Sequence, residues 1–192
     1  MTIRVLIITS LFFCCGCGEV SENSEKANVE KQYDPWPKKT EKIEVLTVER
    51  AAELASLRPS GIYDLHLSGL KSIDKDVAHE LAEFEGNLLS LRGLPSLDTE
   101  TAHELSRFKG AELNLDGLTS IDKGVARELV KIKGSLDLNG LISIDKETAL
   151  VLAKWNGKFL KIGAKSIGDG GVRPLAENMR IWLLPEFRGL KR

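Results

Sequence analysis

Residues 65–74 read LHLSGLKSID, and the phrase returns as LSLRGLPSLD at 89–98, LNLDGLTSID at 113–122 and LDLNGLISID at 136–145. Its central glycines, Gly69, Gly93, Gly117 and Gly140, recur at an almost constant interval, the last one shorter by a single position. A fifth, weaker copy around residues 160–168 keeps the same spacing. Self-similarity at a fixed period of about 20–50 residues is the mark of stacked units that share one core. That architecture decides the fold and lowers the odds of an enzyme.

One unit can be taken apart residue by residue. Leu65 and Leu67 alternate with His66 and Ser68, the two-residue period of a strand with one face buried. Gly69 breaks the strand. Asp74 is placed to accept hydrogen bonds from the free amides at the start of a helix. Over residues 75–85 the apolar positions Val77, Ala78, Leu81, Ala82 and Phe84 make one stripe on a helix of about three turns. Gly86 then stands where a helix end often needs a left-handed residue. Downstream, Asp98, Asp122 and Asp145 cap helices with inner faces of Ala102, Leu105 and Phe108; Val125, Ala126, Leu129 and Ile132; and Ala149, Leu150, Leu152 and Ala153. Gly110, Gly134 and Gly157 end them.

No such unit buries its apolar side alone, so the array folds together. Strands joined by helical crossovers run parallel. Strands stack about 4.8 Å apart, whereas a helix with its side chains is about 10 Å across. The expected fold is therefore α/β: a curved solenoid with a parallel sheet on its concave face and short helices on its convex face. The Leu-x-Leu strand, the period of about 23–24 residues and the curvature together resemble the leucine-rich repeat family, in particular the simple arrays of bacterial surface proteins and lipoproteins. The resemblance spans roughly residues 62–184. It departs from the family where an Asn or Cys usually satisfies the turn, since Leu70, Leu94, Leu118 and Leu141 stand there. Ser72, Ser96, Ser120 and Ser143 are the candidates to replace those hydrogen bonds.

Solenoid ends need caps. Residues 43–61 read as an N-terminal capping helix with Thr47 at its start and Ala51, Leu54 and Ala55 facing inward. Residues 62–167 are the solenoid, and residues 168–192 a C-terminal cap and basic tail. Within the cap, residues 173–178 make a short helix at best, and residues 180–184 a last strand before Pro185.

Residues 1–16 read as a secretory signal: Arg4 precedes an apolar run, Val5 to Phe13, too short to span a bilayer. Gly16-Cys17 resembles the end of a bacterial lipobox, in which the cysteine carries the lipid, although Cys14 stands where that motif prefers Leu. The resemblance implies lipidation of Cys17, membrane attachment through that lipid, and export. All three cysteines lie within residues 14–17, so no disulfide framework holds the body. Residues 17–42 are then a lipid-anchored flexible linker. From Glu19 onward they are rich in Glu, Ser, Asn, Lys and Pro and too poor in aliphatic residues to bury a core.

Net charge is −1, but it is uneven. From Lys154 onward nine Lys and Arg face three carboxylates. A basic end of this kind is a solvated cap or a contact for an anionic surface or polymer. No aromatic interleaving supports nucleic acid. His79 and His103 occupy one repeat position and are expected on outer helix faces, without further metal ligands nearby. His66, near Ser68, Ser90 and Asp64, is the nearest approach to a hydrolytic arrangement, and such neighbours arise by chance in a polar sheet. The aspartates at 74, 98, 122 and 145 are explained by helix capping, and the Gly-rich nine-residue turns of a calcium roll are missing.

No catalytic, metal or cofactor site is expected. The candidate site is the outward sheet face: Asp64, His66 and Ser68; Ser90 and Arg92, with Leu88; Glu112, Asn114 and Asp116; Asp137 and Asn139, with Ser135; and Phe159 and Lys161. These positions vary while Leu-x-Leu stays fixed. The expected function is a non-catalytic binding module displayed in a bacterial envelope to an unidentified protein or other ligand. The rival is a structural envelope protein that contacts neighbours through its ends or basic tail.

Overall fold

The computed structural model describes residues 43–56 and 64–188, all within one compact unit, Lys38–Arg192. The expected signal, Cys17 and linker, the chain from 57 to 63, and the last four residues lie outside the described residues.

The fold is α/β. Helix α1 (Val48–Ser56) precedes strand β1 (Asp64–His66), and strands then alternate with helices: α2 (Lys75–Ala82), β2 (Leu88–Ser90), α3 (Thr99–Leu105), β3 (Glu112–Asn114), α4 (Lys123–Leu129) and β4 (Ser135–Leu138). There follow β5 (Ser143–Ile144), α5 (Lys146–Leu152), β6 (Leu160–Ile162), β7 (Ser166–Ile167), α6 (Val172–Glu177), β8 (Ile181–Leu183) and α7 (Pro185–Arg188). Six strands form one sheet in the order β1-β2-β3-β4-β6-β8, every pair parallel. β5 and β7 make a second, two-stranded parallel ladder that the sequence did not announce.

The register repeats the sequence period. Leu65, Leu89, Leu113, Leu136, Leu160 and Ile181 align across the sheet, the first five with no exposed surface. Leu67, Leu91, Leu115 and Leu138 are likewise sealed. Burying one such leucine is worth about 1.5–3 kcal/mol relative to leaving it exposed, so these two rows hold the units together.

The helices start where the aspartates direct. Asp74, Asp98, Asp122 and Asp145 each accept from the amide three residues on, at 2.8, 2.7, 2.8 and 2.7 Å. The helices are nearer two turns than three, because their last turns tighten to i→i+3 bonds, as in Phe84 N to Leu81 O at 3.2 Å and Phe108 N to Leu105 O at 3.0 Å. Those tails deliver Phe84, Phe108, Ile132 and Trp155 to the core, each at most 5% exposed. In α5 the expected inner residues Ala149 and Leu152 are buried, but Leu150 points out and Thr148 is buried in its stead. Its hydroxyl donates to Asp145 Oδ2 at 3.0 Å, which satisfies it inside.

The glycines act by close approach rather than by a left-handed backbone. Among the described residues only Gly170 has a positive φ, so Gly86, Gly110, Gly134 and Gly157 are not left-handed helix ends. A Cβ on Gly140 would lie 1.8 Å from the Asp116 carbonyl oxygen, and one on Gly93 2.3 Å from those of Ser68 and Leu70. Each turn packs its backbone on the carbonyls of the turn before it. The turns close with backbone bonds, Leu70 N to Leu67 O at 3.1 Å and Leu118 N to Leu115 O at 3.1 Å. Ser72, Ser96, Ser120 and Ser143 are exposed and make no side-chain hydrogen bond among the described residues, so they do not replace the missing Asn.

Candidate functional site

The alternation of each strand sends one row of side chains inward and the next outward. The central outward row is His66, Ser90, Asn114, Asp137, Lys161 and Trp182, in register on six consecutive strands. Residues two positions either side, Asp64, Leu88, Glu112, Ser135 and Phe159 on one flank and Ser68, Arg92, Asp116 and Asn139 on the other, share that face.

The face is less open than its polarity suggests. Asp64, Arg92, Asn139 and Phe159 are exposed, and His66, Ser68, Glu112, Asn114, Asp116 and Lys161 half-buried. Ser90 and Asp137, expected at the surface, are 1% and 5% exposed. In-register neighbours on a parallel sheet stand about 4.8 Å apart, so a short side chain is covered by longer ones on both sides. Ser90 lies between His66 and Asn114, and Asp137 between Asn114 and Lys161.

Asp116 is the hub. Its Oδ1 accepts from the backbone N of Asn139 at 2.8 Å and from Asn139 Nδ2 at 3.0 Å. Its Oδ2 accepts from Asn114 Nδ2 at 3.1 Å and faces Arg92 Nε at 3.8 Å. Asp116 N in turn donates to Asn114 Oδ1 at 3.0 Å. Nearer the far end, Lys161 Nζ lies 2.9 Å from Asp137 Oδ2 and 3.7 Å from Glu112 Oε1. The hydrogen bond to Asp137 raises the lysine's pKa above its ordinary value against the opposing effect of burial, with Asp137, Glu112 and Asp116 adding attraction through charge. Asp137 Oδ1 and Ser90 Oγ are buried without a hydrogen-bond partner.

The arrangement presents fixed carboxylates and amides in the middle and a cation-rich, aromatic end. His66 makes no hydrogen bond to Ser68, Ser90 or Asp64, and the Asp64 carboxylate instead accepts from Asn87 Nδ2 at 3.1 Å. No nucleophile–base pair is assembled there.

On the helix side, His79 and His103 are exposed, and each reaches the glutamate of the next unit: Nδ1 lies 2.8 Å from Glu104 Oε2 and 2.7 Å from Glu128 Oε2. The recurrence of His-Glu at one repeat position was the signal for these bridges. Glu104 is held below the usual carboxylate range mainly by the His79 bond, and Glu128 mainly by Lys131, with His103 contributing. Lys109–Glu83 and Lys123–Glu147, each 2.5 Å, also link neighbouring units. Among the described residues no group of three or more His, Cys, Asp or Glu could hold a metal ion, and no helix is long and apolar enough to cross a membrane.

Comparison with family models, with curated proteins and with solved structures finds no match for this chain.

Proposed function

We propose that the chain is a non-catalytic display module of a bacterial envelope, exported and anchored through a lipid on Cys17. In this reading residues 62–167 form a curved, leucine-rich-repeat-like solenoid. Strands about 4.8 Å apart must keep step with helices about 10 Å across, so the stack bends and the outward sheet row lines its concave side. One observation carries the proposal. The outward row changes from His66 to Ser90, Asn114, Asp137, Lys161 and Trp182, while the row beside it stays Leu or Ile at every strand. The core is fixed by folding and the face is left free to specialise.

The mechanism is recognition without rearrangement. Asp116, Asn114 and Asn139 are locked by one another, so little side-chain freedom is lost when a ligand binds, which favours affinity. The ligand is a protein or other envelope component that meets a polar surface.

The test is site-specific photo-crosslinking in the native envelope. A probe at Asn139, on the face, is compared with one at Arg127, on the exposed side of α4. A discrete adduct from Asn139 and none from Arg127 supports the proposal. Adducts from both alike, or from Arg127 alone, refute it.

A further inference from the structure

Three of the six exposed large apolar side chains among the described residues gather at one end of the sheet. Phe159 is 52% exposed, Trp182 53% and Met179 87%. β6 and β8 pair in parallel with Leu160 opposite Ile181 and Lys161 opposite Trp182. Continuing that register places Phe159 beside Arg180 and Lys158 beside Met179. The outward face of the last two strands carries Lys161 and Trp182, with Phe159 and Arg180 standing one residue before each strand. At its margin Lys133, Gly157, Lys158, Phe159 and Arg180 line a cleft of ≈ 320 Å³.

The charged residues of the cleft lining, Lys133, Lys158 and Arg180, are all cations. The cleft lining contains no carboxylate. Lys133 and Lys158 form no ion pair among the described residues. Arg180 is aimed by the loop before β6, Nη1 donating to the carbonyl oxygens of Asn156 at 2.7 Å and Gly157 at 3.4 Å, and it forms no ion pair among the described residues. Among the described residues the acids on the adjoining strands and helix face other cations: Glu177 lies 2.9 Å from Arg173, and Asp137 and Glu112 lie 2.9 and 3.7 Å from Lys161.

Exposed Trp, Phe and Met beside unpaired cations are the composition that seeks the boundary between anionic headgroups and acyl chains. We propose that this end of the domain, Lys133, Lys158, Phe159, Met179, Arg180 and Trp182, docks on an anionic lipid bilayer. The cations meet headgroup phosphates while the apolar side chains enter the interface. The contact needs no acyl group on Cys17. Where that group is present, the contact orients the tethered domain, because a short tether holds the patch near the surface at high effective concentration.

The test uses the full chain with Cys14→Ser, Cys15→Ser and Cys17→Ser, which leaves it free of cysteine. A polarity-sensitive fluorophore is placed on Asn156→Cys, beside the cleft, or on Ile142→Cys, beyond the opposite end of β4. Vesicles are pure phosphatidylcholine or 7:3 phosphatidylcholine:phosphatidylglycerol. The expected result is a blue shift at 156 and none at 142, seen only with the anionic vesicles and weakened by salt. Lys133→Gln with Lys158→Gln should raise the lipid concentration for half-saturation by roughly ten- to thirtyfold, at about 1 kcal/mol per cation. Phe159→Ser with Met179→Ser should weaken it separately, and because all four side chains are exposed, unchanged circular dichroism certifies the fold. Equal shifts at both labels, no shift at 156, or indifference to the apolar substitutions overturns the proposal. So does a shift at 156 produced by soluble polyphosphate but not by vesicles, which assigns the cations to a soluble polyanion. None of these outcomes bears on whether Asn139 crosslinks a ligand.

Discussion

The substitution Gly140→Ala isolates what holds one unit against the next. The added Cβ would stand 1.8 Å from Asp116 O, 2.8 Å from Asp116 C and 3.0 Å from Leu118 O. An ordinary carbon–oxygen contact is about 3.3 Å, so the shortfall is roughly 1.5 Å, and it is against backbone, which has no rotamer to change. The turn must move away from its neighbour. A gap of even about 0.5–1 Å forfeits a quarter to a half of each dispersion contact across it. Moving the turn also strains the Ile142 N to Thr119 O bond of 3.0 Å and the paired bonds from Asn139 to Asp116. Overpacking in a tight core ordinarily destabilises by about 1–3 kcal/mol, and the rigid partner puts this case near the upper end, about 3 kcal/mol. For a body of this size that is a fall in melting temperature of roughly 6–12 °C. Gly124→Ala is the control. The nearest atoms to its Cβ are side-chain atoms, Thr99 Oγ1 at 2.9 Å and the capping Asp122 Oδ1 at 3.1 Å; the exposed Thr99 changes rotamer, Asp122 gives by a few tenths of an ångström, and the better helix propensity of Ala, at most about 1 kcal/mol, offsets the cost. Urea and thermal unfolding followed by circular dichroism should show Gly140→Ala strongly destabilised and Gly124→Ala neutral or stabilised. A loss below about 0.5 kcal/mol at Gly140, or equal losses at both glycines, refutes the reasoning that close backbone contact selects these residues.

Asp122→Ala removes the bond to Val125 N and should cost about 1 kcal/mol in thermal unfolding, with Asp122→Asn close to wild type. Lys161→Met leaves the buried Asp137 carboxylate without its cation; because Lys161 is partly exposed, the loss should be about 1–2 kcal/mol rather than the full cost of an orphaned buried charge. The raised lysine pKa means this contribution is fully present below the unfolded value near 10.5 and is lost as pH rises through the folded one, so urea midpoints of wild type and variant should converge in strong alkali. Glu128 has a lowered pKa, so its contribution is present above the unfolded carboxyl value and lost as pH falls through the folded one. Urea midpoints against pH should therefore show the acid limb of the stability profile flattened by Glu128→Gln.

How much of this is legible in the sequence depends on how far apart the interacting residues stand in the chain. The caps at Asp74, Asp98, Asp122 and Asp145 act on amides in the first turn of their own helices, so their spacing reveals them. The buried Leu-x-Leu rows follow from strand alternation, and the last strand at 181–183 from Ile181 and Leu183 around Trp182. The glycine contacts do not follow, because the carbonyl that excludes a Cβ at Gly140 belongs to Asp116, one repeat earlier. A local reading assigns Gly86 and its counterparts to left-handed turns instead. The same reading puts Ser90 and Asp137 on the surface, because their cover comes from His66, Asn114 and Lys161 on other strands. Leu150 reads inward because it is apolar, whereas the helix phase set by Asp145 buries Thr148, whose hydroxyl that same aspartate accepts. The exposed aromatic end is half visible, since Phe159 and the excess of Lys and Arg after Lys154 stand out, but only the pairing of β6 with β8 sets Phe159 and Trp182 on one face.

The proposed display of this face from a membrane rests on Cys17, and intact-mass spectrometry of the chain purified from the membranes of its native host tests it most directly. The expected species begins at Cys17 and carries added acyl mass on that residue. A chain that still begins at Met1, or one cleaved but without acyl mass, contradicts it.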